Sequence, residues 1–212
     1  YSLEPAHTYT LAVTLDGVTD TLTFTTAEES FFVDASRYGL VADGVTDNTA
    51  KLQAALSTCP AGGTVYLPAG TYRTQSLFLQ SNTTLYLEKG CTLLGGTDRR
   101  DYPILPGVLP CHNEKDEQYL ALWEGNPLDS FAALINVINA ENVTITGEGT
   151  LDCNAQNGDW YQNPKQKKIA WRPRLFFTSG AKNVVLHGVL ACNSYSWTIH
   201  PTYSENVDIL NI

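Results

Sequence analysis

The fold of this chain is decided by a phrase that it repeats four times: Asn82-Thr83-Thr84-Leu85, Asn142-Val143-Thr144-Ile145, Asn183-Val184-Val185-Leu186 and Asn206-Val207-Asp208-Ile209. Each copy places an aliphatic residue three positions after an asparagine, and its alternating Val, Ile, Leu and Thr are typical of a β-strand. Asparagine tolerates the left-handed backbone conformation that a sharp turn needs. The last two copies lie 23 residues apart, and repeats of roughly 20 to 50 residues indicate a stacked array. The phrase therefore predicts the coils of a right-handed parallel β-helix, an all-β solenoid.

The 23-residue period also predicts which residues lie side by side on neighbouring coils. Shifting one coil onto the next gives three pairs: Phe176 with Ile199, Phe177 with His200, and Arg174 with Trp197. Because the side chains of a strand alternate between its two faces, an inward Ile199 implies that His200 points outward. We therefore expect Arg174, Trp197 and His200 to lie along one groove on the outside of the solenoid.

Two intervals between copies of the phrase, 60 and 41 residues, are longer than one coil. The excess coincides with two stretches that lack periodicity, residues 98–131, which contain four prolines, and residues 154–171. Loops of this length inside a compact fold are usually functional walls or disordered inserts. The sequence therefore predicts two insertions that project from the coils.

Residues 1–29 differ from the rest of the chain. Tyr9, Leu11, Val13 and Leu15 alternate with polar residues up to an Asp16-Gly17 turn, and a second alternating run follows. This pattern predicts a β-hairpin, and it resembles the last strands of a fibronectin type III or immunoglobulin-like sandwich. We expect residues 1–29 to be the tail of such a domain and residues 31–212 to form the N-terminal portion of the β-helix.

A short helix is predicted before the first phrase. Leu52, Ala55, Leu56 and Cys59 fall on one helical face, and Pro60 with two glycines ends the pattern. Thr46 or Asp47 is the expected cap at its first turn. Such a helix would cover the strand edges at the N-terminal end of the array, where unpaired edges otherwise invite association.

The composition restricts the partners of the chain. Its 212 residues, 43% of them hydrophobic, suffice for a large core, and the net charge of −9 disfavours nucleic acid and anionic membranes. No stretch reaches the roughly 18 apolar residues of a membrane span. The five cysteines (59, 91, 111, 153 and 192) show no metal-type spacing, which leaves buried free thiols or one disulfide.

One stretch runs against the overall charge. No acidic residue occurs between Asp159 and Glu205, while six basic residues do: Lys165, Lys167, Lys168, Arg172, Arg174 and Lys182. This pattern fits either a solvated basic loop or a positive wall that attracts an anionic substrate. We interpret the three lysines before Ile169 as mainly solvated.

Two stretches near the predicted helix point to a group of proteins. Residues 43–49 (Asp-Gly-Val-Thr-Asp-Asn-Thr) and residues 62–72 (Gly-Gly-Thr-Val-Tyr-Leu-Pro-Ala-Gly-Thr-Tyr) resemble the entry motif of pectin-active β-helix proteins. Lyases and phage tailspikes share that motif. It therefore supports the pectin lyase-like solenoid rather than one activity.

Later motifs are more selective. Residues 147–152 (Gly-Glu-Gly-Thr-Leu-Asp), followed by Trp160-Tyr161, resemble a segment of glycoside hydrolase family 28, the polygalacturonases. Residues 172–175 (Arg-Pro-Arg-Leu) and 193–201, which contain Trp-Thr-Ile-His-Pro, resemble the bacterial exo-acting members of that family. The resemblance implies an enzyme that hydrolyses α-1,4 galacturonosyl bonds with inversion, without cofactor or metal ion.

The same resemblance places the catalytic carboxylates outside this sequence. Inversion needs an acid and a base about 6.5–9.5 Å apart, which the family supplies from an Asn-Thr-Asp segment and an Asp-Asp pair. Neither segment occurs here, nor do the family's Gly-His-Gly and Arg-Ile-Lys segments. We therefore assign no catalytic residue, and we interpret five acidic residues as structural: Glu148, Asp152, Asp159, Glu205 and Asp208.

The candidate substrate-binding residues are Arg172, Arg174, Trp197 and His200. A guanidinium can hold a uronate carboxylate with two hydrogen bonds, and an indole can face a sugar ring. The alternatives stay open, because Trp197 could fill a core position and His200 could be a hydrogen-bonded ladder residue. The expected partner is an anionic galacturonate polysaccharide or oligosaccharide.

Two other functions remain as alternatives. A pectate-type lyase would need an acidic Ca²⁺ cluster facing the groove, and residues 160–204 contain no acid. A non-catalytic carbohydrate-binding β-helix would need no acid pair. Because pectin is too large to enter a cell, the expected location is extracellular or periplasmic, with the cytoplasm open for an oligosaccharide-processing form. Self-association through the open C-terminal end is a further alternative, since no cap follows Asn206.

Overall fold

A computed structural model describes residues 3–28, 31–110 and 117–212, and it shows a right-handed parallel β-helix preceded by a hairpin. Three parallel sheets, here called A, B and C, run along the solenoid, and each complete coil contributes one strand to each sheet. The predicted all-β solenoid is confirmed. Among the described residues, no helix is long and apolar enough to cross a membrane.

The strands of each sheet follow one another in the order of the coils. Sheet A contains Phe32–Asp34, Gly63–Leu67, Thr83–Leu87, Glu141–Gly147, Lys182–His187 and Glu205–Leu210. Sheet B contains Asp43–Asp47, Gly70–Thr74, Cys91–Gly95, Thr150–Asp152 and Leu190–Cys192. Sheet C contains Leu77–Phe78, Ile135–Ile138, Phe176–Ser179 and Ile199–Thr202.

The core consists of aliphatic ladders between the three sheets. Val65, Leu85, Ile145 and Leu186 pair in register on successive strands of sheet A, and each is at most 1% exposed. Burying one such side chain contributes about 1.5–3 kcal/mol. Because every coil repeats the contribution, the alternating pattern of the sequence suffices to hold the stack together.

The repeated asparagines form a second ladder at the turn before sheet A. Asn82, Asn142, Asn183 and Asn206 have φ of 59°, 56°, 53° and 53°, the left-handed conformation expected from the sequence. The amides of Asn142, Asn183 and Asn206 each donate to the amide oxygen of the asparagine on the preceding coil, at 2.8, 2.9 and 2.9 Å. The ladder therefore serves both the turn and the stacking of the coils.

The predicted register between the last coils is confirmed. Phe176 pairs with Ile199 and Phe177 pairs with His200 in sheet C. Phe176 is fully buried, and Ile199 packs against the same core. His200 and Phe177 therefore face the outside of the solenoid, as the alternation predicts.

Helix α1 spans Thr49–Thr58 and buries Leu52, Ala55 and Leu56. The expectation that Thr46 or Asp47 occupies the cap position is wrong by one or two residues, because the helix begins after Asn48. The Asn48 side chain turns inward and binds the 41–46 loop instead. Asp47 still accepts a hydrogen bond from the Thr49 N–H at 2.9 Å, so a carboxylate does satisfy one of the free backbone N–H groups of the first turn.

Among the described residues, short 3-10 turns lie at Ala35–Tyr38, Arg99–Asp101 and Ala155–Asn157.

The N-terminal hairpin pairs Thr8–Leu15 with Val18–Thr25, and Asp16 and Gly17 form its turn with φ of 50° and 80°. The hairpin prediction is confirmed. Its apolar side chains, such as Leu11 and Leu22, pair with one another and remain exposed. Membership of a sandwich domain stays a prediction.

The two insertions leave the solenoid between sheet B and sheet C. The first contains three short antiparallel pairs: Ile104–Leu105 with Ser130–Phe131, Val108–Leu109 with Gln118–Tyr119, and Leu122–Trp123 with Asn126–Pro127. The second consists mainly of turns.

The cysteines lie within and beside the coils. Cys59, Cys91 and Cys153 are buried free thiols, and Cys192 is a half-buried one. Burial raises the pKa of Cys91 to about 12, which keeps this thiol protonated and unreactive at neutral pH. Cys111 lies outside the described residues.

Candidate functional site

Both insertions meet the outer face of sheet C and enclose a cavity of about 570 Å³. We call it the Trp pocket. Its lining residues come from the first insertion, the second insertion and the last two coils: Trp123, Glu124, Tyr161, Pro164, Lys165, Trp171, Arg172, Ser196 and Trp197. The pocket therefore exists only where distant parts of the chain come together.

Three indoles form one wall of the Trp pocket. Trp123 stacks on Trp171, with ring centroids 4.5 Å apart and an interplanar angle of 18°. Trp197 also lies beside Trp123, with centroids 4.8 Å apart and an interplanar angle of 53°. Trp123 itself is buried, whereas Trp197 is exposed and presents its ring to a ligand.

Arg172 is the cation of the pocket. Its guanidinium carbon lies 5.6 Å from the centroid of Trp123 and 5.1 Å from that of Tyr161. One terminal nitrogen donates to the carbonyl of Tyr195 at 2.8 Å. Its Nε–H is buried and has no partner among the described residues. Burial lowers the pKa of Arg172, which means that its charge is poorly solvated and that an anion would stabilise it.

Arg174 lies beneath the pocket and is only 3% exposed. Its guanidinium carbon lies 5.0 and 5.1 Å from the ring centroids of Trp123 and Trp197, beside the pair of rings. It donates to the carbonyl of Arg172 at 2.9 Å and to the carbonyl of Leu122. Burial, and then the charge of Arg172, lowers the pKa of Arg174 to about 10. This cation therefore ties the first insertion to the coil that carries Arg172.

His200 completes the cluster. Its Nδ1 accepts a hydrogen bond from Nε of Arg174 at 3.1 Å, which places the imidazole proton on Nε2. Burial, and then the charge of Arg174, lowers the pKa of His200 to about 4. The ring is therefore neutral at physiological pH and can donate only through Nε2.

The structure brings all four sequence-predicted site residues together, although in two layers. Arg172 and Trp197 line the pocket, whereas Arg174 and His200 support it from below. The Arg174–Trp197 pair follows the 23-residue register. The 23-residue register could not predict that the first insertion covers Arg174 and shields it from solvent.

The basic stretch divides into several environments. Lys165 and Arg172 line the pocket, whereas Lys168 lies 3.3 Å from Asp159 and Lys182 lies 3.6 Å from Glu205. The positive character of the pocket therefore depends mainly on Arg172 and Lys165.

The sequence interpretation missed Trp123, Trp171 and Tyr161 as site residues. One signal was available, because every tryptophan of the chain lies in an insertion or in the basic stretch that follows. The coil pattern assigns no core position to aromatic residues in such loops, which favours a binding role. Trp160 is the exception, because it belongs to the second insertion and is nevertheless buried in the core.

Of the acidic residues that the structure describes, Glu124 alone lines the Trp pocket. Asp152 accepts hydrogen bonds from the backbone of Asn154 and from Asn193, and Asp159 pairs with Arg99. Glu148 lies 3.8 Å from Lys89, on the surface. These contacts fit the structural roles expected for Asp152, Asp159 and Glu148.

The sequence of this chain is similar to proteins of known family. A family described as rhamnogalacturonase A/epimerase, pectate lyase-like, matches residues 32–91. A probable polygalacturonase of Vitis vinifera is 31% identical over 182 residues, which cover 82% of this chain and 35% of that protein. An exo-poly-alpha-D-galacturonosidase of Dickeya chrysanthemi is 32% identical over 143 residues, which cover 66% of this chain and 23% of that protein. The chain thus spans about a third or less of the length of these curated relatives.

A solved structure agrees with the fold. The family 28 exopolygalacturonase of Yersinia enterocolitica superposes with a TM-score of 0.75 at 23% identity. The match covers 99% of this chain and 44% of that one. It confirms the parallel β-helix.

Proposed function

This chain is homologous to the polygalacturonases of glycoside hydrolase family 28, and we therefore propose that it serves a pectin-degrading hydrolase whose uronate substrate enters the Trp pocket. Arg172 carries the proposal. A guanidinium with a buried, unpartnered N–H between aromatic rings matches a carboxylate attached to a sugar ring. The carboxylate pairs with the cation, and the apolar face of the sugar packs on an indole.

Lys165 and Trp197 would complete the recognition of one uronate. Lys165 adds a second positive charge at the rim, and Trp197 offers an exposed ring on the opposite side. Arg174 and His200 would act mainly through their hydrogen bonds, because these hold Arg172 and the first insertion in place. A neutral His200 also leaves an Nε2–H that can donate to a sugar oxygen.

The finer chemistry is a proposal from the family. Inverting hydrolysis requires two carboxyl groups about 6.5–9.5 Å apart, and the described lining of the Trp pocket offers one, Glu124. We propose that this chain by itself binds galacturonate without cleaving it. Exo action fits a pocket that two insertions wall in, since walls favour a chain end over the middle of a polymer.

The test is an assay of binding and cleavage on the same polymer. In affinity electrophoresis, a gel containing polygalacturonate should retard the chain, and a gel containing highly methyl-esterified pectin should retard it much less. Reducing-sugar release should stay at the level of a heat-inactivated control. Equal mobility in both gels would contradict the substrate class, and release above the control would contradict the absence of cleavage.

The two alternatives make different predictions. A lyase would produce unsaturated uronates that absorb in the ultraviolet, and it would need Ca²⁺. In the described part of the chain, no group of three or more His, Cys, Asp or Glu residues is placed to hold a metal ion. A carbohydrate-binding solenoid would bind in the same way as the proposed hydrolase, and the single carboxylate of the pocket favours this second candidate for the chain alone. The location expected for pectin binding is outside the cytoplasm.

A further inference from the structure

The wall that carries Tyr161 and Lys165 has little regular structure of its own. We call residues 160–167 the pocket loop, because Tyr161, Pro164 and Lys165 line the Trp pocket. Residues 161–167 are exposed and form turns and bends rather than strands. Loops of this kind need contacts at their ends to keep one conformation.

Arg99 binds both ends of the pocket loop. Its Nε and one terminal nitrogen donate to the Asp159 carboxylate at 2.9 and 2.6 Å, just before the loop. Its other terminal nitrogen donates to the carbonyl of Lys168 at 3.4 Å, just after the loop. The Lys168 ammonium closes the ring by donating to Asp159 at 3.3 Å. The loop is thus closed at its neck by one guanidinium.

The position of Arg99 is itself fixed. Arg99 is only 8% exposed, and its guanidinium carbon lies 4.7 Å from the centroid of Trp160 and 5.9 Å from that of Phe131. Trp160 is buried in the core. Hydrogen bonds from Arg99 are also the main cause of the lowered pKa of Asp159, so this carboxylate is charged at neutral pH.

The backbone next to the neck is strained. Ile169 has φ of 68°, and a β-branched residue is a genuine outlier in this region of backbone conformations. Its side chain is 61% exposed, so packing does not compensate. Such strain persists only where the surroundings hold it, and it tends to occur at functional sites. The Lys168 carbonyl that accepts from Arg99 belongs to the residue immediately before Ile169.

We propose that Arg99 is a positioning residue for the Trp pocket, because it closes the neck of the pocket loop and so holds Tyr161 and Lys165 beside Arg172. The path is short. Tyr161 follows Asp159 by two residues, its ring lies 5.1 Å from the Arg172 guanidinium carbon, and its hydroxyl donates to the carbonyl of Ser194 at 2.5 Å. The proposal rests on the proposed function where it concerns substrate, but its structural part does not.

The same 3-10 turn provides a matched control. Arg100 pairs with Asp98, and both side chains face solvent, 79% and 37% exposed. Arg100→Ala removes a salt bridge of the same kind whose side-chain hydrogen bonds go to Asp98 and not to the neck of the pocket loop. Arg99→Lys and Asp159→Asn weaken the neck while they keep side-chain size close to the original.

The experiment measures two properties of each purified variant. The first is the rate of trypsin cleavage after Lys165, Lys167 and Lys168, identified by mass spectrometry. The second is the dissociation constant for trigalacturonate, from quenching of tryptophan fluorescence. We expect Arg99→Lys and Asp159→Asn to raise the cleavage rate and weaken trigalacturonate binding by about tenfold or more, the size expected when a charged hydrogen bond is lost. Arg100→Ala should leave both unchanged.

A rescue variant separates positioning from general stability. Ile169→Gly removes the strain at the neck, so it should slow cleavage and restore binding in the Arg99→Lys background without restoring other lost contacts. Cleavage rates equal to the original in both neck variants would overturn the proposal. So would weakened binding without faster cleavage. If the original chain fails to bind trigalacturonate, the proposed function fails, and the cleavage rates still decide the role of Arg99.

Discussion

A buried cation and a neutral imidazole share one hydrogen bond at the base of the Trp pocket. Arg174 can donate to His200 only while Nδ1 of the imidazole is unprotonated. Protonation of His200 would place a second positive charge beside a guanidinium that is already desolvated. At the scale of single residues, the hydrogen bond between Arg174 and His200 is therefore sensitive to acid.

The first prediction concerns the pH dependence of stability. His200 has an ordinary pKa of 6.5 when unfolded and about 4 when folded, so the unfolded chain binds more protons between these values. The contribution of His200 to stability is thus complete above 6.5 and decreases as the pH falls towards 4. Urea denaturation at a series of pH values should show a shallower acid loss for His200→Asn than for the original chain. An unchanged slope in His200→Asn would refute the assignment.

A second residue-scale prediction concerns the turn at the rim of the Trp pocket. Glu124 and Gly125 have φ of 50° and 80°, the same values as Asp16 and Gly17 in the N-terminal hairpin. Asparagine suits the first of these positions better than glutamate does. Glu124→Asn should therefore raise the free energy of unfolding by a few tenths of a kcal/mol up to about 1 kcal/mol. Thermal unfolding measures this change in stability, with Asp16→Asn as the control. A clear destabilisation by Glu124→Asn would show that the Glu124 side chain makes a contact whose loss outweighs the gain in turn conformation.

At the scale of elements, the asparagine ladder joins each turn to the next coil. Asn183 accepts a hydrogen bond from Asn206, donates one to Asn142, and has φ of 53°. Two contributions therefore meet in one side chain, the backbone preference and the amide hydrogen bonds. Two substitutions separate them, because glycine keeps the preference for the left-handed backbone whereas alanine keeps neither that preference nor the hydrogen bonds.

The corresponding prediction uses both variants. Asn183→Gly should lower the free energy of unfolding by roughly 1 kcal/mol, because the ladder hydrogen bonds are lost. Asn183→Ala should lower it by about 1–2 kcal/mol more, because alanine disfavours the left-handed backbone conformation. Chemical denaturation followed by circular dichroism measures the two losses. Equal losses in the two variants would show that the backbone conformation contributes nothing at this turn.

The same elements show what the sequence could predict. The turn asparagines, the strand ladders and the pairing of Phe177 with His200 all follow from a period of 23 residues, because they depend on neighbours one coil away. Trp123 and Tyr161 could not be placed in this way, since the insertions have no period. The Arg99–Asp159 contact joins residues 60 positions apart in two different insertions. The burial of Arg174 was likewise hidden, because its cover comes from the strand at Leu122.

At the scale of the whole molecule, each parallel sheet ends in an edge. Glu205–Leu210, the last strand of sheet A, pairs with Lys182–His187 on one side, and no described strand pairs with its other side. Leu210 and Ile212 are exposed beside that edge. An uncovered edge with apolar neighbours is a template for another chain.

We accordingly expect the isolated 212-residue chain to self-associate at micromolar concentration. Sedimentation velocity over a concentration series measures this. Leu210→Lys, which places a charge at an exposed position of the last strand, serves as the comparison that should shift the distribution towards monomer. A stable monomer of the original chain at every concentration would contradict the expectation.

The central claim, that Arg172 in the Trp pocket recognises a uronate carboxylate, is tested most directly by one calorimetric titration. Trigalacturonate and its analogue with the carboxyl groups reduced to alcohols are titrated into the original chain and into Arg172→Ala. The account predicts that Arg172→Ala weakens trigalacturonate binding by about tenfold or more and changes the affinity for the neutral analogue much less. Equal losses for both ligands, or no loss for either, would contradict the claim.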